Sequence, residues 1–397
     1  MGKYVNPEVT EFPKTAKSSY VDKTGIISYL NDRLDTSFRF ICDSRPRRFG
    51  KTTTAAMLVE YYKAGADSKE LFAGLNIEKD PKFLTHINRY NVIYINIADV
   101  LTLTQNKPEK VTEMASFIVC KELKAAFGHL KLPEHEFILG NLAMDIYIQT
   151  RVGFVFIIDE WDALLRAANS LETQRAYIDF LRFLLKDKGY VTLAYITGLL
   201  PIKKYGGSGM SIFTEFSMTS PCRLASYMGF TEPEVKALCK RHDVSFKKVK
   251  DLLDGYLLGG KRIYAPLSVM SSVTLGFSSL WTETEAYETL MSYIDLNYDG
   301  LKEAITLLYN QPEARRKINT GRFQQTVSDF TTADDVLALL VHLGYLAFDE
   351  STSEVFIPNN EVRRQFECTF QVMAWTQGIE LTNDSKIVFL GSSSRNG

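Results

Sequence analysis

FRFICDSRPRRFGKT, residues 38–52, passes from one texture to another twice, and that order decides the fold. Phe38 to Ser44 is a short β-rich run, Arg45 to Gly50 is an Arg-rich turn, and TTTAAMLVEYYKAGA from Thr52 reads as a helix. Ala55, Ala56, Leu58, Val59 and Tyr62 share one face of that helix. A strand, a glycine-bearing turn and a helix in succession form a cradle for phosphate, because loop N–H groups and the helix N-terminus face the anion. The consensus for such a loop is Gly, four residues, then Gly-Lys-Ser/Thr. Gly50, Lys51 and Thr52 fit it, while Arg45 stands where the first Gly belongs. The Lys51 ammonium is expected on the β/γ oxygens and the Thr52 hydroxyl on Mg²⁺, with Gly50 letting the backbone approach closely. Arg47, Arg48, Phe49 and Thr53 complete the candidate binding loop. Whether Arg47 and Arg48 touch phosphate or are solvated loop charges stays open.

Outward from the loop, strand-like and helix-like segments alternate. Asn91 to Val100 reads as a second strand, Gly153 to Asp162 as a third and Val191 to Leu200 as a fourth, with a helix over 171–188 before the last. This alternation predicts an α/β fold, a parallel sheet with flanking crossover helices. The third strand, GFVFIIDEWD, is apolar along its length, as a strand covered on both faces must be. It ends in Asp159 and Glu160, the residues a second nucleotide motif requires: a carboxylate for Mg²⁺ and a neighbour that orients the attacking water. Lys51 and Glu160 are therefore the candidate catalytic residues, and Thr52 and Asp159 the candidate metal ligands. Asp162 reads as the N-cap of the next helix, with a role behind the metal ligands as the alternative, and Trp161 as packing. Asp99 is a weaker candidate for the acidic cluster. Thr197, late in the fourth strand, either senses the terminal phosphate or bonds the backbone. Lys203, Lys204 and Arg223 follow, where a charge-neutralising group could enter.

The texture changes after about Ser220. Thr231 predicts an N-cap with Glu234 at the capping-box offset. Helical patterns follow, clearest over Trp281 to Tyr293. Beyond them come an apolar helix (DDVLALLVHLG), the strands YLAFD and EVFIPN around a polar turn, and the helix NEVRRQF. That order suggests a winged-helix-like module. Asp334, Asp335 and its apolar face favour a structural or partner-docking role over DNA reading.

Forty-six basic and 47 acidic residues give a net charge of -1, against a polycation that coats nucleic acid. Five scattered cysteines form no metal-ligand spacing and read as reduced thiols. MGKYVNPEVTEF lacks the apolar core of a secretory signal, and Val152 to Ile158, the longest clean apolar run, is too short to span a bilayer. A cytoplasmic location without membrane contact is expected.

YVDKTGIISYL, SRPRRFGKT, FIIDEWDA, LAYITGLLPIKKYG, GFTEPEVKALC, DGYLLGG and LLVHLGYLAFD together resemble the bacterial AAA-ATPase-like family of P-loop proteins, over roughly residues 1–366. That family has Arg at the first loop position. The resemblance implies ATP binding with hydrolysis on an AAA-like core. It places Gly50, Lys51 and Thr52 at the phosphate and Mg²⁺ site, and Asp159 and Glu160 at the acidic motif. Longer members carry a C-terminal nuclease-like domain; here too few residues follow Phe366, and Asp384-Ser385-Lys386 reads as a turn before a strand.

The expected organisation is an AAA-like P-loop ATPase domain over 1–225, a helical lid region over 226–300, a winged-helix-like module over 301–368 and a short flexible tail over 369–397. The expected function is a slow Mg-dependent ATPase acting as a regulatory switch, with ATP and Mg²⁺ as cofactors and a protein partner at the C-terminal helical region. The alternatives are a nucleotide-bound scaffold without turnover, and a DNA-directed defence or mobile-element component.

Overall fold

The structure, a computed structural model, describes all residues except 1, 10, 203–210, 277–289, 291, 296–297, 299, 323–329, 378, 382–386 and 390–397. The helix expected over Trp281 to Tyr293 falls largely outside the described residues. So do Lys203, Lys204, the Asp384-Ser385-Lys386 turn and about half of the tail. By its contacts the chain divides into two units, residues 1–45 with 50–217, and residues 46–49 with 218–397.

The first unit is built on five strands: β1 (Phe40–Ser44), β2 (Asn91–Asn96), β3 (Phe154–Asp159), β4 (Val191–Gly198) and β5 (Thr214–Phe216). They lie in the order β2-β3-β4-β1-β5, every pair parallel. All residues of β1, β3 and β4 are buried, which is why these strands read as continuous apolar runs. Among the helices that frame the sheet are α1 (Lys51–Tyr62), α2 (Val111–Ala126), α3 (Leu139–Thr150), α4 (Ala163–Ala167) and α5 (Leu171–Leu185). Phe40, Cys42, Ile93, Ile95, Phe156, Ile158 and Ile196 share one core with Val119 and Leu123 of α2, Leu142 and Ile146 of α3, and Leu181 and Leu184 of α5. Helix α1 packs against β2, β3 and β4. It is buried all round instead of on the one face its pattern suggested, because the segment Glu11–Ala16 covers it as well.

The second strand ends earlier than its apolar run. Asn96 accepts the Asp99 N–H through its side chain and so caps a helix over Ile97–Leu103. At the β2 edge the chain's own residues 4–6 pair with the strand. Val5 bridges Ile93 in antiparallel sense, Tyr94 N–H donates to the Tyr4 carbonyl, and Asn6 N–H donates to that of Val92. The Glu122 carboxylate of α2 gathers the N–H groups of Lys3, Tyr4 and Val5 at 2.7–3.0 Å.

The second unit combines helices with small antiparallel sheets. β6 (Phe230–Thr231), β7 (Tyr256–Leu258) and β8 (Lys261–Tyr264) form one, in the order β6-β8-β7. The first of two helices between β6 and β7, α6 (Glu232–Arg241), starts with the expected capping box of Thr231 and Glu234. Later come α7 (Ala333–Leu343), β10 (Ala347–Asp349), β11 (Glu354–Phe356) and α8 (Asn360–Gln377), in the helix–hairpin–helix order read from the sequence. A short strand that precedes them, β9 (Arg316–Lys317), pairs with β11 as a third strand.

Candidate functional site

The turn between β1 and α1 is set by backbone conformation. Arg48 and Gly50 both have positive φ, +73° and +88°. Left-handed positions this close together turn successive N–H groups toward one side, the geometry that receives an anion. A Cβ on Gly50 would meet nothing within 4 Å, so the demand for glycine there is conformational and not steric. Its carbonyl accepts the Thr54 N–H at 2.9 Å and begins the helix.

Lys51 is buried, and its ammonium donates to the Arg45 carbonyl at 3.1 Å. Burial draws its pKa below the usual lysine value, while the carboxylates of Glu160, Asp159 and Asp162 act in the opposite sense. The Thr52 hydroxyl donates to Asp159 Oδ2 at 2.9 Å, bringing together residues 107 apart in sequence. Asp159 is fully buried, and its pKa is pushed up to about 6. Burial is the chief cause and the Glu160 charge adds to it, with Thr52 and Lys51 opposing. The Glu160 N–H donates to Asp159 Oδ1 at 2.9 Å. Glu160 itself has φ of +49°, an unusual conformation for a residue with a side chain, of the kind that collects at functional sites. Tyr94 of β2, which no local motif marks, belongs here too. Burial and then the Asp159 carboxylate hold its phenol above the usual range.

Thr52 and Asp159 are hard oxygen donors brought within hydrogen-bond distance, and an isolated buried carboxylate is costly. They suit a hard divalent cation such as Mg²⁺, which takes one or two protein oxygens and keeps phosphate and water for the remainder.

Arg45, at the first loop position, faces the sheet. It is fully buried, 3.0 Å from Asp43, and donates to the carbonyls of Ser44 and Phe216. Thr197 is buried, and its hydroxyl donates to the Asp43 carbonyl at 2.7 Å across the β4–β1 pair. Asp162 stands at the N-cap position of α4, but its side chain makes no capping bond. It accepts instead from the N–H groups of Leu199 and Leu200, at 3.1 and 3.2 Å, and from Arg166 at 2.9 Å, because the exit of β4 brings those donors to it. Gly198 makes this approach feasible: a Cβ there would lie 2.2 Å from the Asp162 carboxylate. Trp161 packs fully buried, as expected, and its indole N–H donates to the Leu200 carbonyl. Asp99 is exposed in the first turn of its helix.

Arg47, Arg48 and Phe49 are grouped with the second unit. Arg47 is exposed, Arg48 half-buried, and the buried Phe49 ring meets Tyr256 edge-on with centroids 5.3 Å apart. Thr53 is half-buried in the first turn of α1, and Arg223 is exposed in a short turn of the second unit.

No helix among the described residues is long and apolar enough to cross a membrane. No curated protein matches the chain. Among solved structures it is similar to the Walker-type ATPase PABY2304 of Pyrococcus abyssi, at 11% identity and a TM-score of 0.41, covering 88% of this chain and 97% of that one. It is also similar to the ORC2 protein of Aeropyrum pernix in its ADPNP–ADP complexes, at 11% identity and a TM-score of 0.38, covering 92% of this chain and 98% of that one. A family model described as predicted AAA-ATPase, AAA-ATPase-like, matches residues 9–207, and with the loop it assigns ATP binding to the protein. The match takes in both nucleotide motifs and half of the chain, which therefore belongs to the AAA-ATPase-like family.

Proposed function

We propose that the protein is a slow, Mg-dependent ATP hydrolase that works as a regulatory switch. The observation that carries this reading is the 2.9 Å hydrogen bond from Thr52 to Asp159, which joins the phosphate loop to the acidic strand end with Glu160 beside them. Lys51 exchanges its bond to the Arg45 carbonyl for phosphate oxygens and stabilises charge on the transferring group. The loop N–H groups around Gly50 bind the phosphates, with Arg47, Arg48, Phe49, Thr53 and Thr197 as further binding positions. Glu160 orients the attacking water. Thr52 and Asp159 would hold a magnesium ion, which neutralises charge on the phosphate oxygens when bound. Slow turnover is the general behaviour of P-loop switches whose charge-neutralising arginine arrives from another molecule. A protein partner at the C-terminal helical region is part of the same proposal.

The test is thermal melting with Mg-ATP beside phosphate release. The wild type is expected to melt higher with Mg-ATP and to release phosphate. Lys51→Ala is expected to lose both effects, and Glu160→Gln to keep the shift but lose release. Normal phosphate release from Glu160→Gln sinks the assignment of the water-orienting group.

A further inference from the structure

The guanidinium of Arg166 in α4 bonds two carboxylates at once. Nη2 donates to Glu160 Oε2 at 3.0 Å and Nε to Asp162 Oδ2 at 2.9 Å. Its backbone N–H also donates to the Asp162 carbonyl at 3.0 Å. Asp162 is fully buried and held by the N–H groups of Leu199 and Leu200. A continuous chain of hydrogen bonds thus runs from the exit of β4 through Asp162 and Arg166 to the Glu160 carboxylate. We propose that Arg166 is a positioning residue, which fixes the orientation of the carboxylate that aligns water for hydrolysis.

Three features separate this pair from an ordinary surface ion pair. The Arg166 fork is anchored at one end by a carboxylate with no exposure, so bonding Glu160 removes little further side-chain freedom. Glu160 is itself three-quarters covered, with 25% side-chain exposure. The terminal torsion of a glutamate is broad, and a carboxylate left to rotate aligns a water poorly. With the backbone set by the positive φ of Glu160 and Oε2 held by Arg166, the carboxylate keeps one orientation, and in this proposal Oε1 is the atom that accepts from water. Misplacement of a reacting group by about 1 Å can cost on the order of 100-fold in rate.

This inference rests on the proposed hydrolysis and on the role of Glu160, and its test keeps the two apart. Steady-state ATP turnover is measured on the full chain as wild type, Arg166→Ala, Arg166→Lys, Glu160→Gln and the double variant Glu160→Gln/Arg166→Ala. Melting curves with and without Mg-ATP report folding and binding. Arg166→Ala is expected to lower kcat roughly 10- to 100-fold, the range for residues that orient a site group from behind. Its KM and its ATP-induced melting shift are expected to stay as in the wild type. Arg166→Lys should recover part of the rate, since an ammonium reaches one carboxylate at a time. In the Glu160→Gln background, Arg166→Ala should add nothing.

A loss in Glu160→Gln with none in Arg166→Ala overturns the positioning role alone. A faster Arg166→Ala enzyme overturns it too, by showing that the guanidinium restrains Glu160. An undiminished additional loss in the double variant means that Arg166 acts elsewhere and rejects the proposal. Wild-type turnover in Glu160→Gln removes the role of Glu160, no turnover in the wild type removes the proposed hydrolysis, and either result takes this inference with it.

Discussion

The end of β1 and the turn from β3 into α4 each hold a fully buried aspartate paired with an arginine, and the two pairs behave differently. At the end of β1, Asp43 and Arg45 are both without exposure, and the guanidinium spends its other bonds on the backbone of Ser44 and Phe216. Three residues beyond β3, at the start of α4, Asp162 is equally buried but Arg166 is 32% exposed and reaches outward to Glu160. The same residue types serve as internal scaffold where both ends are sealed. They can transmit position to a reacting group where one end is open.

The comparison is broken most forcefully at the sealed pair. Arg45→Met strands the Asp43 carboxylate in the sheet and is expected to cost about 3–5 kcal/mol in denaturant unfolding, with the double change Asp43→Leu/Arg45→Met recovering much of it. A single variant as stable as wild type would remove the scaffold reading. The next effect concerns the carboxylate between the two turns. Asp159 titrates at about 6 folded, against 3.8 unconstrained. The folded protein therefore holds the proton longer than the unfolded chain does, and ionisation costs stability. That cost is absent below about pH 3.8, grows as pH rises to 6, and amounts to about 3 kcal/mol above it. In chelator and without nucleotide, Asp159→Asn should be more stable than wild type at pH 8, with the advantage vanishing near pH 4. An advantage equal at both values would show that desolvation of the charge is not its source.

Gly50→Ala comes third: the strain of a Cβ at φ +88° should cost about 1–2 kcal/mol and weaken ATP-induced stabilisation. A melting midpoint matching the wild type would mean that the loop relaxes to another conformation. Smallest is Arg166→Met, expected to change unfolding free energy by about 1 kcal/mol or less, because Asp162 keeps two backbone donors. A loss as large as that of Arg45→Met would erase the distinction between the sealed and the open pair.

Much of the first unit was legible because covered parallel strands leave long apolar runs, and a strand–glycine turn–helix is a local pattern. Gly50, Lys51, Thr52, Asp159 and Glu160 could be named for the same reason: each motif is contiguous. Strand order was not legible, since nothing local tells β1 to lie between β4 and β5. Nor was β5, three residues long. Arg166 and Tyr94 carry no local signal, because their meaning arises only when α4 and β2 fold beside the end of β3. Asp162 was read from its place before a helix, but the donors that claim it lie 37 and 38 residues away. The all-round burial of α1 had a similar cause, a distant segment packing on the side its own pattern left open.

The strip of backbone at residues 4–6 has a consequence for recognition. Antiparallel pairing occupies hydrogen-bonding groups of β2 at Val92 and Tyr94, on either side of Ile93, and Glu122 fastens the strip from behind. An extended peptide seeking to lengthen the sheet by strand addition there would have to displace the chain's own segment, losing as many bonds as it gained. That edge is thereby closed to the generic stickiness of a bare strand, and a partner approaching from that side must recognise side chains and shape instead of a free backbone.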